Sequence, residues 1–342
     1  MGIRAGIVGL QSVYWPHAFA NCLSSISNAE LVACADLDYD SNLISTSLGK
    51  TPAEFAEAYG LQVYHDPVEM IQEKELDAVC ICAKNTEAVR LVEQVAPLGV
   101  AIYIAKPMAT SVDAAERIVK AVREHGVIAT SGTTERFDGG IREAYQRFKN
   151  GAIGELISIR ALHQHGNINS FPKDDWYWEE AEGGPELSLI WYAADVIRWF
   201  AGSEVTRVYA EYDNYLSDRS PFMDNGKIIL RFENRVMGSI DIYFSVDGFR
   251  LPAYEVELVG TTGAIRTQQS VYEGTLFTKE GVSNFYRIQN NNLLDEMTHW
   301  VECCQNKTDP DLTIEDAQHV IELCLACRQS AQAHTPVALP LN

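Results

Sequence analysis

The chain has 342 residues with a formal net charge of −20, and 46% of its residues are hydrophobic. This length exceeds what one hydrophobic core usually organises and predicts two domains. The acidic balance excludes a protein that binds nucleic-acid phosphates non-specifically, because such binding needs a basic surface. No apolar stretch approaches the roughly 18 residues of a membrane-spanning helix, and "MGIRAGIVGL" does not resemble a secretory signal. We therefore expect a cytoplasmic protein that binds neither nucleic acid nor membranes.

The first 130 residues alternate between apolar strands and amphipathic helices. The strand "RAGIVGL" leads into the helix "WPHAFANCLSSI", and the strand "ELVACAD" follows. Further along, the strands "DAVCICA", "VAIYIA" and "VIATSG" are separated by helical segments, the second of which has Ser111 as its predicted N-cap. This alternation predicts a doubly wound parallel sheet covered by helices on both faces, over residues 1–130.

From residue 131 to residue 342 the pattern changes. One helix is predicted for "GGIREAYQRFKNG", and strand-like segments then follow one another, including "ELISIRALHQH", "EVTRVYAEYD" and "AYEVELVGTTGAIRTQ". Helices return at about 184–201, 291–306 and 313–333. This order predicts an α+β domain built on one large, mostly antiparallel open sheet.

The end of the first strand is a candidate dinucleotide site. Gly9 closes this strand, but the other glycines of a G-x-G-x-x-G motif are replaced by Gln11 and Tyr14, so a plain strand-to-helix turn remains an alternative. The second strand ends at Asp36, which is placed to bind a ribose 2′-hydroxyl, and no arginine follows it to receive a 2′-phosphate. NAD is therefore favoured over NADP, and the alternative is a solvated aspartate.

Two further groups of polar residues are candidates for chemistry. Lys106 follows the strand "VAIYIA" at the same edge of the sheet, and Pro107 predicts a sharp exit that directs the ammonium into the crevice. A structural ion pair is the alternative. The apolar helix at 184–201 carries Ser188, Tyr192 and Asp195 on one face, which predicts either a cleft or a hydrogen-bonded polar seam.

The sequence predicts no metal site. The eight cysteines lie in apolar segments and indicate reduced, buried thiols. Cys324 and Cys327 have the spacing of half a zinc or redox site, but no second pair completes it. His163 and His165 share one face of a strand without a third ligand at a diagnostic spacing.

The ordered set of motifs resembles a known family. It runs through the Gly9 loop, Asp36 and "AKP", then "GTTERF", "NGAIGELISI", the double glycine before the helix at 184–201, "VGTTGAI" and the closing "EDAQHVIELCLACRQSA". The whole chain is similar to the glucose–fructose oxidoreductase / inositol dehydrogenase / rhizopine-catabolism (Gfo/Idh/MocA) family. The resemblance implies an N-terminal Rossmann domain, a C-terminal domain for substrate binding and oligomerisation, and NAD(P)-linked chemistry on sugars and polyols.

The resemblance also assigns roles to residues. It implies that Lys106 and Tyr192 are catalytic, with Tyr192 as the acid/base at a position where the family commonly has histidine. The expected cofactor contacts are Gly9, Gln11, Ser12, Val13, Asp36, Leu37, Ala83, Asn85 and Lys106. The expected substrate contacts are Arg136, His163, Trp176, Ser188, Tyr192 and Asp195.

The chain departs from the family pattern at two of the expected acidic positions. The usual glutamate before the lysine is Ala105, and the usual aspartate on the helix is Ser188. We expect an NAD-dependent oxidoreductase that acts on a secondary alcohol of a sugar, polyol or glycoside, as a homodimer or homotetramer. The alternatives are a non-catalytic protein that senses NAD or a sugar, and an enzyme that holds NAD tightly while it makes a transient keto-sugar.

Overall fold

The computed structural model describes residues 2–12, 14–37, 48–165, 176–215, 222–245, 254–268, 273–286 and 290–341. Val13, a predicted cofactor contact, lies outside the described residues. The chain forms two compact units, and neither is continuous in sequence. The first consists of residues 1–132, 172–183 and 293–321, and the second of residues 133–171, 184–292 and 322–342.

The helices begin and end close to where the sequence places them. In chain order they are α1 (Trp15–Ser25), α2 (Pro52–Tyr59), α3 (Pro67–Lys74), α4 (Ala88–Val95), α5 (Val112–His125), α6 (Gly139–Lys149), α7 (Gly184–Ala201), α8 (Asn292–Asn306) and α9 (Ile314–Ala333). The predicted cap of α5 is confirmed, because the Ser111 hydroxyl accepts a hydrogen bond from the Ala114 N–H at 3.2 Å. The sequence analysis missed α2 and α3, although each starts with a capping side chain followed by proline, at Thr51 and Asp66.

The first unit contains a six-stranded parallel sheet, as predicted. Its strands are β1 (Ile3–Val8), β2 (Ala29–Ala35), β3 (Gln62–Tyr64), β4 (Ala78–Ile81), β5 (Ala101–Ile104) and β6 (Ala129–Ser131). They lie in the order β3-β2-β1-β4-β5-β6, and every neighbouring pair is parallel. The order reverses between β1 and β4, and this reversal is where doubly wound sheets bind dinucleotides.

Helices cover both faces of this sheet. Alternate strand residues such as Ile7 and Tyr103 belong to a buried cluster with Phe19 of α1, Phe55 of α2 and Trp300 of α8. The opposite face packs more closely at Gly6, where a Cβ atom would lie 3.0 Å from the Met70 side chain of α3. Both faces are thus shielded from water, which explains why the strands are apolar throughout.

The second unit is built on a nine-stranded mixed sheet. Its strands are β7 (Leu156–Gln164), β8 (Val205–Asp213), β9 (Asn225–Phe232), β10 (Met237–Tyr243), β11 (Tyr254–Gly260), β12 (Gly263–Gln268), β13 (Glu273–Thr278), β14 (Gly281–Tyr286) and β15 (Val337–Ala338). The order is β14-β13-β12-β11-β7-β10-β9-β8-β15, and only the central pair, β7 and β10, is parallel. The prediction of a large, mostly antiparallel sheet is therefore confirmed.

The buried helix α7 packs against β7 and β10 at the centre of this sheet. It is apolar almost all round, and Trp191 and Ile197 are fully buried. Because a strand alternates its side chains between two faces, Ile159, Ala161 and His163 of β7 all lie on the buried face. A histidine therefore lies in the interior of the unit, beside the helix that carries Tyr192.

Candidate functional site

The turn after β1 requires glycine at position 9. Gly9 has φ +87°, and a Cβ atom there would lie 2.8 Å from the backbone nitrogen of Ala83, which follows β4. Its N–H donates to the carbonyl of Ala35 at the end of β2. Gly9 thus lets the ends of β1, β2 and β4 approach one another, and any other residue would be both strained and sterically blocked.

The next two residues line this turn. Gln11 is fully buried, and its side-chain N–H group donates to the carbonyl of Asp36 at 3.4 Å. Its side-chain oxygen has no hydrogen-bond partner among the residues that the structure describes. The Ser12 hydroxyl accepts from the N–H groups of Tyr14 at 3.2 Å and Trp15 at 3.3 Å, so it caps the start of α1. The side-chain oxygen of Gln11 is therefore a buried acceptor, next to the strand ends, that can accept a hydrogen bond from a ligand.

Asp36 lies at the end of β2, where the sequence analysis places it. Its carboxylate is 2.6 Å from Nδ1 of His65, and the aspartate side chain is 13% exposed while the histidine is 64% exposed. The following residue, Leu37, has φ 63°, which is the left-handed region. The Asp36 carboxylate is therefore partly accessible to solvent. A carboxylate in this position can accept hydrogen bonds from the two hydroxyl groups of a ribose.

Lys106 follows β5 and is 8% exposed. Its Nζ lies 5.7 Å from the centre of the Trp15 ring, at the start of α1. A cation over an aromatic face is stabilised by the ring quadrupole, so this contact favours a position of the ammonium near the helix start. Two predicted residues of different strands, Lys106 and Gly9, thus both lie at the carboxyl edge of the parallel sheet.

A distant segment completes the first unit at this edge. Residues 176–182 form two short 3-10 turns, and the indole N–H of Trp176 donates to the carbonyl of Gln11. The side chain of Asn85 donates to the carbonyl of Glu182 at 2.8 Å. Trp176, predicted to contact the substrate, is therefore placed with the cofactor loop, and Asn85 is oriented by a residue that sequence reasoning missed.

In the second unit, Tyr192 lies within a buried aromatic cluster. Its ring centre is 5.7 Å from that of His163 and 5.9 Å from that of Tyr254. The imidazole of His163 stacks on Tyr254 at 4.2 Å, and the Tyr254 hydroxyl is 2.6 Å from Nε2 of His163. Burial, then the charges of Glu135 and Tyr192, raise the pKa of Tyr254 well above its usual value. Tyr254 therefore stays protonated and donates to His163 whenever the imidazole carries its proton on Nδ1.

Asp195, one turn of α7 after Tyr192, forms a buried ion pair with Arg136. Their side chains are 0% and 4% exposed, and Nε of Arg136 is 2.8 Å from the Asp195 carboxylate. The Thr133 hydroxyl donates to the same carboxylate at 2.5 Å, and the guanidinium lies over the Trp199 ring. Ser188, also on this face, is 2% exposed. The polar face of α7 is thus buried: part of it is a paired charge and part is the tyrosine–histidine cluster.

Three contributors were missed by the sequence analysis: His65, Glu182 and Tyr254. His65 directly follows β3, a strand too short to show a period, so its place beside Asp36 has no sequence signal. Tyr254 starts β11, and its pairing with His163 depends on the antiparallel register between β11 and β7. Glu182 precedes the double glycine, and only this neighbouring motif could have indicated it.

The residues at the edge of the parallel sheet fit NAD. Gly9, which has no Cβ atom, leaves room for close backbone approach, the unpaired Gln11 side-chain oxygen can accept a hydrogen bond, and Asp36 offers a carboxylate for the ribose. A 2′-phosphate would instead meet the negative charge of Asp36. The described residues hold no cluster of metal-ligating side chains, and none of their helices is long and apolar enough to cross a membrane.

A parallel sheet of this order, with a carboxylate at the end of its second strand, is typical of a dinucleotide-binding domain. Residues 3–133 match the model of the oxidoreductase family with an NAD-binding Rossmann fold, and residues 141–266 match the GFO/IDH/MocA C-terminal domain. The chain belongs to this family of NAD-dependent oxidoreductases. The resemblance described from the sequence is therefore confirmed.

Curated relatives and solved structures are similar to this protein over nearly the whole chain. It is 23% identical to the scyllo-inositol 2-dehydrogenase (NAD(+)) of Bacillus subtilis, over 99% of this chain and 97% of that protein. It is also 23% identical to the Myo-inositol 2-dehydrogenase of Thermotoga maritima, over 98% of each chain. The structure of scyllo-inositol dehydrogenase from Lactobacillus casei with NAD(H) and scyllo-inositol has a TM-score of 0.81 at 24% identity and 99% coverage of both chains.

Proposed function

We propose that the protein transfers a hydride between NAD and a secondary alcohol of a sugar, polyol or glycoside. The observation that carries the proposal is the buried contact of Tyr192 with His163 and Tyr254, which joins a phenol to an imidazole. Relatives over the full length are named as inositol dehydrogenases, which supports a polyhydroxylated substrate. Residues 1–130 bind NAD in this proposal, and residues 131–342 bind the substrate.

The cofactor residues hold NAD through groups of the first unit. NAD supplies the hydride acceptor when it is bound. Asp36 accepts hydrogen bonds from the ribose, and Gln11 accepts one through its orphaned side-chain oxygen. The Gly9 turn, with Ser12, Val13, Leu37 and Ala83, provides the backbone cradle. NAD is preferred over NADP because the Asp36 carboxylate repels the additional 2′-phosphate of NADP.

Lys106 and Tyr192 carry the proton chemistry of the alcohol. Lys106 donates to the reacting hydroxyl oxygen and orients it. Tyr192, as the phenolate, accepts the hydroxyl proton, and the His163 ring packs edge-on against it. The other substrate-binding residues in this proposal are Trp176, Arg136, Ser188 and Asp195. Arg136 and Asp195 contribute as an ion pair.

Lys106→Ala and Tyr192→Phe test these roles. Each substitution removes the proton-handling group and leaves Asp36 and the Gly9 turn in place, so we expect turnover to be abolished while NAD still binds. NADH production across a panel of inositols, aldoses and glycosides is measured together with NAD binding by quenching of tryptophan fluorescence. The matched controls are Lys120→Ala, at a lysine that is 72% exposed, and Tyr209→Phe on β8, and both should keep full activity. Undiminished activity of Lys106→Ala or Tyr192→Phe removes that residue from the mechanism.

A non-catalytic sensor is the competing function, and Ala105 and Ser188 are the residues that favour it. Such a protein would bind NAD without oxidising any compound in the panel. Wild-type turnover excludes this function.

We also propose a homodimer or homotetramer in the cytoplasm. Residues paired directly across strands share a face of a sheet, and one such row carries Met237, Val259 and Phe277, which are 45%, 37% and 41% exposed. An apolar row of this kind supports association. All eight cysteines are free, which is typical of a protein in a reducing compartment. Light scattering of wild type and Phe277→Lys tests the association.

A further inference from the structure

Residues 176–182 cross the crevice where the strand order of the parallel sheet reverses. β1 and β4 are neighbours in this sheet, and the loops that follow them form the two sides of the crevice. Trp176 binds the loop after β1 through the Gln11 carbonyl, and Glu182 binds the turn after β4. The segment therefore spans the place where doubly wound sheets hold a dinucleotide.

Glu182 makes the most buried of these attachments. It is 2% exposed, and its carboxylate accepts from the Thr86 N–H at 3.0 Å and from the Thr86 hydroxyl at 2.5 Å. Its backbone carbonyl accepts from the Asn85 side chain at 2.8 Å. Hydrogen bonds to an ionised group are stronger than neutral ones, so this end of the segment is the firmer attachment.

A second attachment is closer to solvent. Nζ of Lys84 lies 2.8 Å from the Glu179 carboxylate, and the two side chains are 18% and 53% exposed. Within the segment, the N–H of Glu179 donates to the Trp176 carbonyl and the N–H of Glu182 donates to the Glu179 carbonyl. The segment is thus internally bonded and can release as one piece when its side-chain attachments break.

We propose that residues 176–182 form a strap that closes over the bound NAD and sets the rate at which the cofactor exchanges. Glu182 is the principal latch and the Lys84–Glu179 pair is a weaker one. The inference rests on the proposed NAD site and adds a regulation of it. With the strap closed, both the oxidised and the reduced cofactor stay bound to the protein. This favours reactions in which one substrate reduces the cofactor and the cofactor is then oxidised again, either by a second substrate or in a later step on the same substrate.

The test measures association and dissociation of the cofactor by stopped flow, with NADH fluorescence and a chase of excess NAD. A strap that gates entry and exit predicts that both rate constants rise together while the Kd changes little. We expect about a tenfold rise for Glu182→Ala and a smaller rise, about threefold, for Glu179→Gln. Glu180→Gln is the matched control, because Glu180 is an exposed carboxylate of the same strap, and its rates should equal those of wild type.

Other outcomes separate the strap from the proposed function. Unchanged rates in both latch variants overturn the strap, as does a weaker Kd with no faster association, which is the result of a merely structural role. Glu179→Gln keeps the test decisive if Glu182→Ala does not fold, because its pair is half-exposed. Absence of NADH binding in wild type and every variant overturns the proposed function itself.

Discussion

Two ion pairs, one in each unit, differ in how deeply they are buried. In the first unit, the Lys84–Glu179 pair joins two loops at the edge of the parallel sheet, and its glutamate is 53% exposed. In the second unit, Arg136 and Asp195 are 4% and 0% exposed and the aspartate sits on a buried helix. The exposed pair can open without disturbing a core, whereas the buried pair cannot lose a partner without stranding a charge. Breaking the exposed pair should therefore disturb the fold less than breaking the buried pair.

The largest expected effect comes from breaking the buried pair. Asp195→Ala leaves the Arg136 guanidinium without its carboxylate in the interior, so the free energy of unfolding should fall by about 3–5 kcal/mol. Glu179→Gln breaks the exposed pair and should cost less than about 1 kcal/mol. Urea unfolding followed by circular dichroism measures both losses of unfolding free energy. Equal losses would contradict the difference between the two ion pairs.

A smaller effect is expected at the edge of the parallel sheet. Asp36→Ala removes the carboxylate that we propose accepts hydrogen bonds from the ribose, so NAD binding should weaken by about 1.5–3 kcal/mol, or about 10- to 150-fold. The discrimination against NADP should fall as well, because the repulsive charge is lost. Calorimetric titration with both nucleotides measures this, with Asp113→Ala, at an aspartate that is 82% exposed, as the control. Unchanged NAD affinity in Asp36→Ala would contradict the assigned ribose contact.

The smallest effect concerns an exposed pair in the first unit, Arg123 of α5 and Glu315 of α9. The guanidinium hydrogen bond lowers the pKa of Glu315. A carboxylate with a lowered pKa stabilises the fold at pH values above its unfolded pKa, and this contribution is lost as the pH falls through the folded pKa. Arg123→Ala should therefore cost about 1 kcal/mol or less at pH 7, because the side chains are 45% and 38% exposed, and this cost should shrink as the pH falls through the folded pKa of Glu315. A cost that grows toward acid pH would reverse the assigned sign.

Sequence reasoning predicted the parts of the fold that repeat locally. Apolar strands alternating with amphipathic helices indicated the parallel sheet, and the cap at Ser111 marked the start of α5. The short elements α2, α3 and β3 were missed, and the caps at Thr51 and Asp66 were the available sequence signals for the two helices. The strands β13, β14 and β15, which lie at the two ends of the nine-stranded order, were also missed.

The sequence by itself determined that Gly9, Asp36 and Lys106 lie at one edge of a sheet, because each directly follows a strand and parallel strands end on the same side. It also placed Ser188, Tyr192 and Asp195 on one helix face, since helical spacing is a local property. Only the tertiary structure decided which partners these residues meet. His163 and Tyr254 are 91 positions apart and Trp176 and Gln11 are 165 apart, so their contacts depend on strand register and on a returning segment. Local patterns do not encode such pairings, because the packing of the whole unit selects them.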